Sequence, residues 1–149
     1  MRCVVQRVSR ARVTVDGKET GAIGKGLLVY VGVGKSDDDT HIATLAEKVY
    51  RLRVFEDEAG KMALDVAQVG GGVLVISQFT LYGDVRRGRR PSFDGALEPV
   101  EAERLYARFL QALRSLGATV ASGVFRAMMA VESVNDGPVT ILVDTNRAF

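Results

Sequence analysis

One histidine and one cysteine in 149 residues leave little of the side-chain chemistry on which most hydrolases rely. His41 stands beside Asp37, Asp38 and Asp39 at the start of a helical pattern and reads as a solvated helix residue. A Ser-His-Asp or Cys-His arrangement needs a base within hydrogen-bond reach of its nucleophile, and none is recognisable here. Cys3 begins an apolar stretch with no base partner; it reads as a small core residue, and a lone cysteine forms no internal disulfide. Cys and His are nowhere clustered at ligand spacing and the acidic run Asp37–Asp39 resembles a helix start, so no metal site is expected. Gly70-Gly71-Gly72 precedes a strand rather than opening a helix, which removes the context of a phosphate-binding loop. The longest apolar runs, such as Leu27–Val31 and Val73–Ile76, are strand-sized and far short of the ~20 residues that span a bilayer, so no membrane role is expected. No basic segment followed by an apolar one opens the chain, and with the solitary cysteine this points to a cytoplasmic protein.

Charge of one sign is also missing. Twenty basic against eighteen acidic side chains leave +2, too little for wholesale attraction to nucleic acid. Any such contact must be local, and the densest candidate is Arg86-Arg87-Gly88-Arg89-Arg90. Guanidinium matches phosphate bidentately, so these four arginines read either as a phosphate contact or as a solvated loop.

What is present is a pattern of short strands and two helices. Ala11, Val13 and Val15 alternate with Arg12, Thr14 and Asp16, a half-buried strand continuing from Cys3–Val8. Thr20–Ile23 and Gly26–Val33 flank Gly24-Lys25, a connection compatible with a hairpin. Ser36 or Asp39 can cap a helix in which Ile42, Leu45, Val49 and Leu52 recur, ending near Arg53. Glu56–Gly60 reads as a turn, Val73–Thr80 as a buried strand, and Tyr82–Phe93 as a long polar connection. A second helix starts with Pro99 in its first turn, carries Leu105, Phe109, Leu113 and Leu116 as one stripe and stops at Gly117. Thr119–Ser122, Ala127–Val134 and Val139–Asp144 close the chain as strands. Many strands interrupted by two helices predict an α+β fold: one domain over residues 1–149, a barrel-like twisted sheet with both amphipathic helices packed outside.

Two segments remain as candidates for chemistry. Ser77-Gln78-Phe79-Thr80-Leu81 ends an apolar strand with hydroxyls, an amide and an aromatic ring, none a strong base. Asn135-Asp136-Gly137-Pro138-Val139-Thr140 places a Gly-Pro step between two strand-like runs. It reads either as an ordinary hairpin turn or as a cis step presenting two carbonyls side by side.

The pair Ser77–Leu81 (SQFTL) and Asn135–Thr140 (NDGPVT) resembles the two signature motifs of the D-aminoacyl-tRNA deacylases. The likeness extends through Gln6–Val8, Gly26–Val29, Arg90–Phe93 and Gly123–Met129. It implies hydrolysis of the ester between a D-amino acid and the terminal adenosine of tRNA, with glycyl esters accepted, including glycine mischarged on alanine tRNA. It further implies a homodimer in which Gly137-Pro138, in cis, enters the partner's site and rejects L side chains by clash. Ser77, Gln78, Phe79 and Thr80 would surround the scissile ester, with backbone N–H groups near Phe79 and Thr80 stabilising the oxyanion. Phe125 and Met129 would line the adenine site, and no metal or organic cofactor is implied. With no side-chain base, the ribose 2′-hydroxyl is expected to position or activate water. The rival expectations are a non-catalytic RNA-binding homodimer using Arg86, Arg87, Arg89 and Arg90, and a structural homodimer in which the Gly-Pro step only shapes an interface.

Overall fold

The alternating residues of the first segment form a single strand of 14 residues in the computed structural model, which describes residues 1–149. The order along the chain is β1 (Arg2–Val15), β2 (Lys18–Ile23), β3 (Gly26–Gly32), α1 (Thr40–Tyr50), β4 (Phe55–Glu56), β5 (Met62–Leu64), β6 (Gly72–Ser77), a 3₁₀ turn (Phe79–Tyr82), α2 (Pro99–Ser115), β7 (Thr119–Ser122) and β8 (Ala130–Asp144). Asp16 and Gly17, with φ of 50° and 78°, make the two-residue loop joining β1 to β2, where both residues must tolerate positive φ.

Strand β1 is long enough to template three partners. β2 pairs with Ala11–Val15 and β3 with Arg2–Val8, both antiparallel, so the chain runs on in one direction past Gly24-Lys25 and the expected β2–β3 hairpin does not exist. On the other side of β1, β8 pairs along nearly the whole length, from Arg2↔Asp144 to Thr14↔Ala130. The two closing strands expected at Ala127–Val134 and Val139–Asp144 are therefore one strand, and Asn135–Thr140 is not a hairpin turn: both halves find hydrogen-bond partners on β1.

β6 joins β3 in parallel and β7 joins β6 in parallel, with α1 and α2 lying in the two crossover connections that parallel neighbours require. The sheet is mixed and curls until β2 meets β7. A Cβ at Gly21 would lie 2.6 Å from the Ser122 carbonyl oxygen, which shows how closely the two backbones approach. The result is the expected α+β, nearly closed barrel with both helices outside.

Two apolar clusters occupy the two faces of the sheet. Val5, Val29 and Val75 face the helices and bury Leu45, Val49, Leu105, Phe109 and Leu113. Inside the curl, Val8, Val13, Leu28, Leu74 and Ile76 form the second cluster. Several local expectations shift under tertiary demands. Asp39 does not cap α1 through its side chain but pairs with Arg104 at 3.0 Å and Arg108 at 2.7 Å on α2, while Asp38 accepts from the Thr40 N–H at 2.9 Å. Glu98 caps α2, accepting from Val100 and Glu101, and Leu116 leaves the buried stripe, 37% exposed, just before Gly117 turns the chain at φ 102°. The turn at Glu56–Gly60 sits within a small hairpin of β4 and β5.

Candidate active site

Strand β6 carries Ser77 to the last rung of its parallel ladder, opposite Val31. There the chain leaves the sheet: Gln78 N–H still donates to the Val31 carbonyl at 2.8 Å, and Phe79–Tyr82 wind into one 3₁₀ turn. The strand expected to reach Thr80 thus stops at Ser77. Phe79 and Thr80 open this turn, so their N–H groups have no acceptor within it. Gln78 Nε2 donates to Thr80 Oγ1, fixing the Thr80 side chain.

The far end of the turn is anchored. Tyr82 Oη donates to Asp37 Oδ2 at 3.1 Å, and Asp37 also accepts from the Gly34 N–H at 2.6 Å and pairs with the Met1 ammonium at 2.5 Å. Arg2 lies 4.5 Å from the Tyr82 ring centroid and donates to the Leu81 carbonyl at 2.9 Å. Burial acts to raise the Asp37 pKa, but the hydrogen bonds from the ammonium, Gly34 and Tyr82 outweigh it and hold the carboxyl below its usual range. Burial, followed by the neighbouring Asp37 charge, pushes the Tyr82 phenol upward. A depressed folded-state pKa stabilises above the unfolded value of about 3.9 and ceases to do so as pH falls through the folded one. Asp37→Asn is therefore expected to lower the urea midpoint at pH 7, with the gap to the parent narrowing steadily between pH 4 and pH 2; an undiminished gap at pH 2 would exclude this anchoring role.

Ser77–Thr80 form one wall of a cavity of about 420 Å³. Ile76 also lines it, and Phe125 and Met129 contribute from the segment before β8. The strand expected to start at Ala127 begins only at Ala130, so residues 127–129 are not strand, and Arg126 just before them has φ 64°. Phe125 is tilted against Tyr106 at 5.8 Å, and Met129 Sδ occupies the space above Gly123, whose Cβ would lie 2.5 Å from it. The structure thus brings Ser77, Gln78, Phe79 and Thr80 together with Phe125 and Met129 around one opening.

Among the cavity residues there is no histidine, carboxylate or thiol. His41 instead contacts Asp38 Oδ1 at 3.1 Å and Asn146 Oδ1 at 3.2 Å. Cys3 is buried, and burial pushes its thiol up to about 12, which makes it inert as a nucleophile. A larger groove of about 810 Å³ between Arg10, Arg12, Glu19 and Glu132 contains none of the motif residues, and its Arg12–Glu132 pair is closed at 2.5 Å.

Gly137-Pro138 does not line the cavity of its own chain. It forms a bulge in β8 between the rungs Gln6↔Thr140 and Val8↔Asn135, with a cis peptide and an exposed proline. The bulge is held by the motif's own Asn135 and Thr140 and by Arg7, to which sequence reasoning gave no role. Asn135 Oδ1 accepts from the Val139 N–H at 3.2 Å, Asn135 Nδ2 donates to Thr140 Oγ1 at 3.1 Å, and Arg7, 9% exposed, donates to the Asp136 and Val54 carbonyls at 3.0 and 2.8 Å. The available signal was a charge at the position of Cys3-Val5-Arg7 that faces the helices. In the arginine loop, Arg86 is engaged by Asp84, whose carboxyl its hydrogen bonds hold down to about 2, while Arg87, Arg89 and Arg90 are exposed without a carboxylate partner.

The chain matches the family model described as D-Tyr-tRNA(Tyr) deacylase over residues 4–144. It is 61% identical over 150 residues to a D-aminoacyl-tRNA deacylase of Sorangium cellulosum, spanning all of both proteins. It is 59% identical over 149 residues to the D-aminoacyl-tRNA deacylase of Symbiobacterium thermophilum, covering all of this chain and 99% of that one. Among solved structures, a c-Myc DNA unwinding element binding protein superposes with a TM-score of 0.91 at 41% identity, over 97% of this chain and 98% of that one. A probable eukaryotic D-amino acid tRNA deacylase shares the fold with a TM-score of 0.81 at 17% identity, over 95% and 97% of the two chains. Fold and relatives together define the class, a hydrolase acting on the ester bond of aminoacyl-tRNA. Within that class the chain belongs to the D-Tyr-tRNA(Tyr) deacylase family, and its reaction is the deacylation of D-aminoacyl-tRNA.

Proposed function

We propose that this chain hydrolyses glycyl as well as D-aminoacyl esters and spares L-aminoacyl esters, with chirality judged by Gly137-Pro138 of a second copy. The observation that carries this reading is the exposed Gly137-Pro138 bulge outside its own cavity. It adjoins an open apolar row: Leu142 pairs with Val4, Val4 with Tyr30, and Tyr30 with Ile76 at the cavity. Leu142 is 56% exposed, and Val4 and Tyr30 are half-buried. A two-fold contact uses the same patch on both copies, so such a dimer can carry each bulge toward the other copy's opening.

In the cavity, Ser77, Gln78, Phe79 and Thr80 surround the ester while Phe125 and Met129 take the adenine, a ring face and a soft thioether suiting a purine. Water attacks the ester carbonyl carbon, and the N–H groups of Phe79 and Thr80 donate to the developing oxyanion; such a donor contributes about 2.7–4 kcal/mol. Collapse breaks the acyl-oxygen bond, and the ribose 3′-oxygen leaves with a proton. The adjacent 2′-hydroxyl supplies the proton path that no side chain here offers. Cleavage of D-tyrosyl-tRNA with L-tyrosyl-tRNA left intact is the expected result for purified protein; binding without turnover of the D ester would instead favour the RNA-binding reading. If the bulge acts across copies, specific activity should fall in step with the dimer fraction on dilution, as followed by size-exclusion chromatography, and full activity in a demonstrated monomer would overturn the cross-subunit role.

A further inference from the structure

We infer that Phe79, Phe93 and the loop of Arg87, Arg89 and Arg90 form a track for the single-stranded nucleotides preceding the terminal adenosine of tRNA. The inference rests on the ester-hydrolysis reading of the cavity and extends it outward from the rim. Phe79 is a cavity residue, yet its side chain is 59% exposed, and it meets Phe93, 36% exposed, edge to face with ring centroids 5.1 Å apart. Two aromatic rings left in water at a cavity mouth are suited to stacking bases, which sequence-tolerant single-strand sites use routinely.

The arginines are tied to the same rim. The loop leaves the 3₁₀ turn at Gly83, where a Cβ would come within 3.2 Å of the Phe93 ring, and a two-bond bridge between Asp84 and Ser92, at 2.7 and 2.9 Å, closes its stalk. Asp84 is consumed by Arg86, so the negative charge inside the loop is cancelled. Arg87, Arg89 and Arg90 then remain as three exposed guanidiniums without a carboxylate partner; Arg10, Arg53, Arg114, Arg126 and Arg147 are exposed and unpaired too, but only here do three stand within four residues of one another. Arg90 is three residues from Phe93, at most about 10 Å of chain, so the positive charge cannot lie far from the aromatic rim. An ester at the cavity puts the preceding phosphates outside it, and three adjacent unpaired guanidiniums are complementary to them.

The test compares kcat/KM on D-tyrosyl-tRNA with that on the small ester 2′(3′)-O-D-tyrosyl-adenosine, which has no preceding nucleotides. The ratio of the two is expected to fall at least tenfold, through KM, in Arg87→Ala/Arg89→Ala/Arg90→Ala and in Phe93→Ala, with Phe93→Tyr restoring most of it. The triple variant should also flatten the dependence of log kcat/KM for tRNA on log salt by about 2, at ~0.7 per phosphate contact on a single strand. A parent active on both esters whose triple variant keeps both the ratio and the salt slope overturns the track alone. A parent that cleaves neither ester overturns the reading on which it rests, and the track with it.

Discussion

Gly137→Ala is expected to collapse chiral discrimination, lowering the ratio of D-alanyl-tRNA to L-alanyl-tRNA hydrolysis at least tenfold. The residue has φ 133°, and an added Cβ would sit 2.8 Å from Val139 Cγ2, 3.0 Å from Val139 N and 3.1 Å from Arg7 Nη2. Val139 and Arg7 are both buried, so the backbone of the bulge has to move, at a cost of about 1–3 kcal/mol. A screen made of main-chain atoms works only while those atoms stay in place. Rejection by clash also differs from attraction in its reach: one apolar group in a pocket is worth only ~1–3 kcal/mol, a limit that steric exclusion does not share. Rates on glycyl-, D-alanyl- and L-alanyl-tRNA decide the matter, with glycyl cleaved alongside D-alanyl in the parent. Glycyl-tRNA as resistant as L-alanyl-tRNA would overturn the rejection reading. Far-ultraviolet dichroism and a urea midpoint for Gly137→Ala separate altered selectivity from loss of fold.

A terminal 2′-deoxyadenosine is expected to slow hydrolysis by ~10²–10⁴-fold, the range that positioned proton transfer contributes, whereas Thr80→Ala should stay within about tenfold of the parent. The cavity offers hydroxyls and an amide but no histidine, carboxylate or thiol, and Thr80 Oγ1 already accepts the Gln78 amide. A hydroxyl without a base is a poor nucleophile. Substrate-borne assistance and a threonine nucleophile therefore predict opposite rankings of these two changes. A deoxy substrate cleaved at the normal rate by the parent, together with an inert and folded Thr80→Ala, would establish the threonine route instead.

How far such a site is legible beforehand depends on the range of the forces that build it. The motif Ser77–Thr80 can be found as a string, but the sequence reads as a strand running through Thr80, because nothing local marks where the parallel ladder with β3 runs out. Arg86 looks equivalent to its neighbours until Asp84 folds back on it. Phe93 reads as one residue of a polar connection, and only its approach to Phe79 makes it part of the rim. Arg7 sits in an apolar strand, and its partner Asp136 lies 129 residues away.

By itself the sequence determined what short-range physics controls: the alternation of β1, the Leu105-Phe109-Leu113 stripe of α2 with Pro99 at its start and Gly117 at its end, and hence an α+β chain with its helices outside the sheet. Side-chain period and cap chemistry are properties of a few consecutive residues, so they survive without knowledge of the rest. Tertiary structure alone decided that β2 and β3 share one edge of β1, that Asn135–Thr140 is a bulge within a continuous strand, and that Gly137-Pro138 stands outside the cavity formed by Ser77–Thr80, Phe125 and Met129. Each of these is a choice of partner between segments far apart in the chain. That choice follows from which backbone edges and apolar faces remain available after the others have paired, and no local window contains it.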